Sequence, residues 1–193
     1  LETLIIENKN TITIFHQSYN NRMRIFIVGP MASGKSLVGP GIAEYFKLPF
    51  FDSDHEIESK TGVDINWIFE KEGEEGFRER EELVIKEISK KESFVLSTGG
   101  GAILRRSNID LIKKGDHVIY LQTSIRTQIK RTATDERRPL LNNKDNEATL
   151  AGLAKIRNPL YEEVASIIIK EKAISLPKLI ARIVKMVEKK YEV

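Results

Sequence analysis

Residues 29–36 carry the side chains best suited to hold a polyphosphate. They read GPMASGKS, fit the pattern G-x-x-x-x-G-K-[ST], and follow a short apolar run, RIFIV, at 24–28. Glycines let the backbone curl so that its N–H groups point at phosphate oxygens, and a following helix N-terminus adds positive potential. Lys35 would contact the β- and γ-phosphates, and the Ser36 hydroxyl would be a ligand of Mg²⁺. The alternative is an ordinary glycine-rich turn, but the preceding strand favours nucleotide binding.

Two carboxylates follow the second apolar run of the chain. Asp52 and Asp54 flank one serine at the end of the strand predicted at 48–54, so both side chains should point the same way. One carboxylate near a magnesium nucleotide can complete the metal shell, usually through water. The other can accept a hydrogen bond from a substrate hydroxyl. Alternatively, the pair caps the helix predicted to begin near His55.

Further candidates are scattered along the chain, and each has an ordinary explanation when taken singly. Arg78 and Glu81 lie at the start of a predicted helix, where an arginine is usually a surface residue. Gly99–Gly101 follow a predicted strand and would let a ligand approach bare backbone, or form a flexible turn. Arg138 lies in a polar loop, and Arg157 precedes an Asn-Pro pair.

Alternating short apolar strands and helices must position these residues. This pattern predicts a parallel sheet covered by helices on both faces, with ligands at the carboxyl ends of its strands. We expect strands at 24–28, 48–54, 93–97, 117–121 and 166–169, and helices at 36–46, 56–60, 65–70, 77–90, 108–114, 125–133, 150–164 and near the C-terminus. The strand ends bring the candidate residues to one edge.

Two prolines fall inside predicted helices. Pro40 should kink or reset the helix at 36–46, since an internal proline typically costs about 3 kcal/mol. The pair Asn158-Pro159 should interrupt the helix at 150–164. The expected apolar positions are Leu37, Ile42, Ala43 and Phe46 in the first helix, and Leu83, Val84 and Ile88 in the helix at 77–90.

Length and composition limit the classes of protein. The 193 residues suit one buried core, and 40% hydrophobic with 31% charged residues is typical of a globular protein. No apolar run is long enough to cross a bilayer, and a net charge of +3 favours small anions over nucleic acid. The chain has no cysteine, which excludes disulfides and thiolate chemistry and fits a reducing compartment. We expect residues 1–22 to be a disordered or loosely attached extension and 23–193 a single domain.

Taken together and in order, these motifs resemble the shikimate kinase family. The matching pieces are GPMASGKS, FFDSD, GFRERE, STGGG, RRPLL and RNPLYEEVA, between about residues 24 and 170. The resemblance implies transfer of the γ-phosphate of ATP to the 3-hydroxyl of shikimate, in aromatic amino-acid biosynthesis. It also implies a three-layer α/β/α fold of the P-loop kinase type, with a five-stranded parallel sheet in the order 2-3-1-4-5 and a lid at 134–147. A cytoplasmic monomer that uses Mg²⁺, without nucleic-acid or membrane partners, is the family expectation.

The resemblance also assigns roles residue by residue. It assigns catalytic roles to Lys35, Asp54 and Arg138, and metal binding to Ser36 and Asp52. ATP would be held by Gly29, Pro30, Met31, Ala32, Ser33, Gly34, Lys35, Ser36, Leu37, Arg131 and Arg138. Shikimate would be held by Asp54, Phe77, Arg78, Glu81, Gly99, Gly100, Gly101 and Arg157. Pro40 and residues 1–22 depart from the family pattern but lie outside this chemistry.

Two other functions remain open on the sequence. A gluconate or nucleoside monophosphate kinase would share the architecture and the phosphate loop. A nucleotide-binding switch without phosphotransfer would need neither the two arginines nor the three glycines.

Overall fold

The computed structural model describes residues 22–133, 146–170 and 174–189. Nearly all of the expected N-terminal extension, Arg138 and residues 134–145 of the expected lid lie outside these ranges. Within them, residues 146 and 147, expected in the lid, already belong to a helix.

Five parallel strands form the sheet. They are β1 (Arg24–Val28), β2 (Phe50–Asp52), β3 (Phe94–Ser97), β4 (His117–Gln122) and β5 (Ile167–Lys170), in the order β2-β3-β1-β4-β5. The register pairs Ile27 with Ser97, and Val28 with Tyr120, so the segments that follow β1, β3 and β4 leave the same edge. The predicted parallel sheet and its order 2-3-1-4-5 are confirmed.

Seven α-helices and one 3₁₀ turn surround the sheet in the described residues. The helices are α1 (Lys35–Phe46), α2 (Ser53–Thr61), α3 (Ile65–Ile88), α4 (Arg106–Ile112), α5 (Ile125–Thr132), α6 (Asn146–Val164) and α7 (Leu176–Glu188), and the 3₁₀ turn is Ala102–Leu104. None of these helices is long and apolar enough to span a membrane.

The two faces of the sheet bury separate apolar clusters. Alternate side chains of β1 point to opposite faces: Ile25 and Ile27 join a cluster with α1 and α7, whereas Phe26 and Val28 join one with α2, α3, α4 and α6. The outcome is the three-layer α/β/α arrangement, because a parallel sheet buries both faces.

Both prolines lie inside continuous helices, so a reset at Pro40 and the interruption expected at Asn158-Pro159 are wrong, whereas the kink expected at Pro40 stays a prediction. A proline at 40 removes only the bond to the Ser36 carbonyl, one turn back. Close packing holds α1 in place on either side: a Cβ on Gly39 would overlap the ring of Phe50 on β2, and one on Gly41 would overlap Ile180 on α7. Tertiary contacts therefore outweigh the local penalty.

Two other expectations need correction. Leu37 and Leu83 were expected on buried faces, but they are 66% and 65% exposed. By contrast, the two predicted helices at 65–70 and 77–90 correspond to the two halves of α3, which is broken at Gly73, where φ is 73°. That φ favours glycine over other residues.

Candidate active site

The loop between β1 and α1 requires glycine at two positions. Gly29 has φ 146° and Gly34 has φ 94°, both in the region that side chains with a Cβ rarely adopt. A Cβ on Gly29 would also lie 2.7 Å from the Leu121 carbonyl oxygen. Gly34 precedes the first residue of α1, so the N-terminus of that helix opens directly onto the loop. The loop therefore has the shape and the helix dipole that suit a phosphate group.

Lys35 folds back over this loop. Its Nζ donates to the carbonyl oxygens of Gly29 and Pro30, at 2.8 Å each, and to Ser33 Oγ at 3.3 Å. The side chain is buried, so its charge lies inside the curl of the loop and not in bulk solvent. An anion in the loop would meet this ammonium at short range.

Ser36 and Asp52 bring two oxygens together at the edge of the loop. Ser36 Oγ donates to Asp52 Oδ2 at 2.6 Å, while Asp52 Oδ1 accepts from the Asp54 backbone N–H at 3.1 Å. Asp52 thus caps α2, which agrees with the alternative interpretation that the Asp52 and Asp54 pair caps a helix. Its other carboxylate oxygen still accepts the hydrogen bond from Ser36. A hydroxyl and a carboxylate are hard oxygen donors, which fits a divalent cation such as Mg²⁺.

Asp54 lies in the first turn of α2, and one of its carboxylate oxygens has no hydrogen-bond partner. Its Oδ1 is buried and has no hydrogen-bond partner. Burial and the neighbouring Asp52 raise the pKa of Asp54 to about 6, against the opposing effects of Lys35 and Arg78. At neutral pH the group is mostly ionised, and it presents an unused acceptor in a poorly solvated place.

Arg78 and Glu81 form a buried ion pair on α3. Arg78 Nη1 donates to Glu81 Oε2 at 2.7 Å, and Arg78 Nη2 donates to Glu74 Oε1 at 3.0 Å. Burial raises the pKa of Glu81 to about 7 although Arg78 lowers it, and Glu81 Oε1 is left without a partner. Burial opposes the charge on Arg78, but Glu81 and Glu74 hold its pKa above the ordinary value. Phe77 supports the pair, since Arg78 Cζ lies 5.0 Å from its ring centroid.

The turn Gly99–Gly101 after β3 lies between the phosphate loop and the carboxylates and arginine of α2 and α3. A Cβ on Gly99 would overlap Glu81 Oε1 and come within 3.0 Å of Asp54 Oδ1, and a Cβ on Gly101 would overlap the Arg78 guanidinium. On Gly100 it would lie 3.3 Å from the Met31 backbone nitrogen, in the phosphate loop. Ser53 Oγ accepts from the Gly99 N–H at 2.8 Å and fixes the turn to α2. Each glycine therefore allows a close approach that a larger residue would prevent.

Arg157 and Arg131 approach the loop from the other side. Arg157, on α6, is 5% exposed, and its Nε is buried without a hydrogen-bond partner. Burial lowers the pKa of Arg157, with Arg78 acting in the same direction. Arg131, on α5, donates from Nη1 to the Ala32 carbonyl oxygen at 2.8 Å. Arg157 is thus a buried cation whose Nε has no hydrogen-bond partner.

The structure brings most of the expected residues around one cleft of about 590 Å³. Its lining includes residues 31–38, Asp52, Asp54, Gly99, Gly100 and Arg131. Arg157 lies in a small adjoining cavity beside Pro30 and Met31. Glu81 and Arg78 lie against Gly99 and Gly101, and Phe77 lies against Arg78. Arg138 is outside the described residues.

Sequence reasoning missed several residues of the cleft. Apolar side chains from the start of α7 line one side, together with polar ones from the end of β3: Ile174, Leu176, Leu179, Ser97 and Thr98. Leu176, the first residue of α7, is 40% exposed, and Ile174, two residues before the helix, is 38% exposed. The helix α7 packs against α1, which follows the phosphate loop, and no local sequence pattern shows this long-range contact.

The chain has close relatives among known proteins. The family model described as shikimate kinase matches residues 31–188. A shikimate kinase of Alteromonas mediterranea is 52% identical over 148 residues, which is 77% of this chain and 86% of that protein.

Solved structures are similar as well. A shikimate kinase from Acinetobacter baumannii, in complex with shikimate, has a TM-score of 0.85 and 44% identity, and the match covers 88% of this chain and 96% of that one. A gluconokinase from Sinorhizobium meliloti has a TM-score of 0.60 at 18% identity over 89% of this chain and 95% of its own, which shows a shared fold alone.

Proposed function

The chain belongs to the shikimate kinase family, and from this premise we propose how its site transfers the γ-phosphate of ATP to the 3-hydroxyl of shikimate. ATP-dependent phosphorylation of shikimate, in aromatic amino-acid biosynthesis, is the reaction of this family and of this chain. The observation that carries the proposal is the glycine turn Gly99–Gly101, which contacts the phosphate loop on one side and Asp54 and Arg78 on the other.

Asp54 is the proposed partner of the reacting hydroxyl. Its buried Oδ1 has no hydrogen-bond partner in the structure. It is therefore available to accept a hydrogen bond from the 3-hydroxyl of shikimate and to orient the hydroxyl oxygen for attack on the γ-phosphate. With a pKa of about 6, the carboxylate is a weak base. A weak base is sufficient because phosphoryl transfer has a loose transition state and depends mainly on positioning and charge neutralisation.

Arg78 and Arg157 are the proposed clamp for the substrate carboxylate. Two guanidinium groups can bind one carboxylate through planar, charge-assisted hydrogen bonds. Glu81 and Glu74 hold Arg78 in one orientation, whereas the buried Nε of Arg157 has no partner of its own. Phe77 and Gly99–Gly101 would form the wall of the pocket.

The loop and the cations around it are proposed to bind the phosphates of ATP. We assign the phosphate contacts to Gly29–Leu37, with Lys35 supplying charge to the transferring group, and the adenine contact to Arg131. Arg138, outside the described residues, is assigned to the transferring phosphate on the family pattern. Exclusion of water by a closing lid would limit wasteful hydrolysis of ATP.

ATP dependence implies a divalent cation, and we propose that it is Mg²⁺ held by Ser36 and Asp52. When bound, the ion neutralises charge on the β- and γ-phosphates. Ser36 and Asp52 already lie 2.6 Å apart, oxygen to oxygen, so the two ligands are arranged in advance. We also propose a cytoplasmic monomer that has no nucleic-acid or membrane partner, in keeping with the family and with the small net charge of +3.

The direct test is release of ADP from ATP and Mg²⁺, with and without shikimate. We expect release to depend on shikimate, and gluconate or a nucleoside monophosphate to give no more than the background without acceptor. Phosphorylation of gluconate or a nucleotide, with none of shikimate, would overturn the assignment.

A further inference from the structure

Tyr161 lies behind the glycine turn, in the core. It is 1% exposed and belongs to the last turns of α6, four residues after Arg157 and therefore on the same face of the helix. Its hydroxyl donates to the Gly100 carbonyl oxygen. Burial raises the pKa of Tyr161 above its ordinary value, so the hydroxyl stays protonated and remains a donor at neutral pH.

The ring of Tyr161 is held as firmly as its hydroxyl. It stacks on Tyr120, with centroids 5.0 Å apart and an angle of 28° between the rings. Tyr120 is on β4 and pairs in register with Val28, the last residue before the phosphate loop. Tyr120 Oη in turn donates to Asn158 Oδ1 at 3.3 Å. The phenol therefore has a fixed position relative to both α6 and the sheet.

Gly100 is the middle residue of the turn that separates the phosphate loop from Asp54, Arg78 and Glu81. Its neighbours Gly99 and Gly101 lie against Glu81, Asp54 and Arg78, and Gly100 itself lies against the Met31 nitrogen. The described residues show two side chains bonded to this turn: Ser53 at the Gly99 N–H, from α2, and Tyr161 at the Gly100 carbonyl, from α6. The second bond alone connects the turn to the helix that carries Arg157.

We propose that Tyr161 is a positioning residue for the acceptor substrate, whose hydroxyl fixes the Gly99–Gly101 turn relative to Arg157. The inference rests on the proposed function, because it takes the turn as a pocket wall and Arg157 as a carboxylate ligand. Without the hydroxyl, the turn loses the side-chain hydrogen bond that connects it to α6, and the spacing between the turn and Arg157 is held less firmly. Lys35, Ser36 and Asp52 keep all of their own hydrogen bonds, so the nucleotide half should be little affected.

The test is Tyr161→Phe, which removes one oxygen and keeps the stacked ring. Loss of one buried hydrogen bond corresponds to about a tenfold rise in the KM for shikimate. The KM for ATP should stay within about twofold and kcat should change less than the shikimate KM. The matched control is Tyr45→Phe, which removes the hydroxyl that donates to Glu188 Oε1 at 2.8 Å, between α1 and α7 and away from the glycine turn.

Two outcomes would overturn the proposal. One is a Tyr161→Phe enzyme with an unchanged KM for shikimate. The other is a purely structural effect, in which the melting temperature falls and both KM values and kcat change together. The amide nitrogen shift of Gly101 gives a reading independent of kinetics, because it reports on the hydrogen bond at the preceding carbonyl; it should move in Tyr161→Phe and not in Tyr45→Phe. If ADP release does not depend on shikimate in the unsubstituted enzyme, the proposed function fails first, whatever Tyr161 does.

Discussion

The two halves of the active site are built in different ways. The phosphate half consists of residues 29–36 and Asp52, and it comes almost entirely from one loop and the start of one helix. The acceptor half consists of Asp54, Arg78, Glu81, Gly99–Gly101 and Arg157, from α2, α3, the turn after β3, and α6. Lys35 and Ser36 have hydrogen-bond partners, whereas Asp54 Oδ1, Glu81 Oε1 and Arg157 Nε are buried without one.

This difference indicates which half of the site destabilises the free enzyme. A buried polar group without a partner costs on the order of 1–3 kcal/mol, and the cost is recovered only when a ligand supplies the partner. The acceptor half should therefore be a source of instability in the free enzyme, and the phosphate half should not. The predictions below separate the two halves, beginning with the largest effect.

Substitution of Lys35 by Met should lower kcat by roughly 10²–10³-fold, the usual effect of removing one group that stabilises transition-state charge. Binding of shikimate alone should change far less than kcat, because Lys35 donates hydrogen bonds to residues of the phosphate loop and affects Asp54 through its charge. Steady-state kinetics and calorimetric titration with shikimate measure the two effects. Lys86→Met, at an exposed position of α3, is the control. A large loss of shikimate affinity in the Lys35 variant would mean that the halves are not separable.

The two arginines proposed to bind the substrate carboxylate should respond differently to the same substitution. Arg157→Met should raise the shikimate KM by about 10–100-fold and also raise the free energy of unfolding by about 1 kcal/mol, because a buried cation without a partner at Nε is removed. Arg78→Met should weaken binding similarly but lower the free energy of unfolding by roughly 3 kcal/mol, since it leaves Glu81 buried and unpaired. Urea unfolding measures both. Equal destabilisation by the two variants would contradict the contrast.

Glu81 should make the stability of the free enzyme depend on pH. Its pKa is about 7 in the folded state against 4.5 ordinarily, so the folded state binds more protons than the unfolded chain between these values. The stabilising contribution is therefore complete below about pH 4.5 and lost as pH rises through about 7, and its full size is roughly 3 kcal/mol. Glu81→Gln should flatten the unfolding free energy between pH 5 and 8, although Asp54 keeps a smaller trend of the same sign.

Glu79→Gln, an exposed position on the same helix, should retain the pH dependence of the unsubstituted enzyme. Urea unfolding at several pH values measures the slope. An unaltered slope in Glu81→Gln would show that this carboxyl does not carry the proton.

Asp52→Asn should weaken the apparent affinity for Mg²⁺ by about tenfold and leave the melting temperature nearly unchanged. The amide is as good a helix cap as the carboxylate, so the bond from the Asp54 N–H is kept while the charge is lost. Activity titrated with Mg²⁺ at fixed ATP measures the first effect. Asp64→Asn, which alters the cap of α3 away from the cleft, is the control and should change neither. The same Mg²⁺ dependence in Asp52→Asn and the unsubstituted enzyme would remove Asp52 from the metal site.

The same difference explains how much could be predicted from the sequence. The phosphate loop is contiguous, so residue types and spacing identified it, and alternating apolar runs predicted the parallel sheet. The family resemblance, which the relatives confirm, was needed to assemble the acceptor half from dispersed motifs. Even then the roles of its residues remain proposals.

What the sequence could not provide depends on long-range packing. Pro40 was expected to kink or reset α1, and the reset does not occur: the helix is continuous, with Gly39 packed against β2 and Gly41 against α7. Leu83 was expected to be buried, yet its position on α3 faces solvent. The bond from Tyr161 to Gly100 joins residues 61 positions apart, and no local pattern contains it.

The central claim is that the acceptor half recognises a small hydroxylated carboxylate through Arg78 and Arg157. The most direct measurement compares kcat/KM for shikimate with that for its carboxamide, the same ring with an uncharged group, in the unsubstituted enzyme and in Arg157→Met. We expect kcat/KM of the unsubstituted enzyme to be about 100-fold higher for shikimate than for the carboxamide, because only the carboxylate forms charge-assisted hydrogen bonds with the arginines. Arg157→Met should lose most of this preference. The same preference in both proteins would contradict the account.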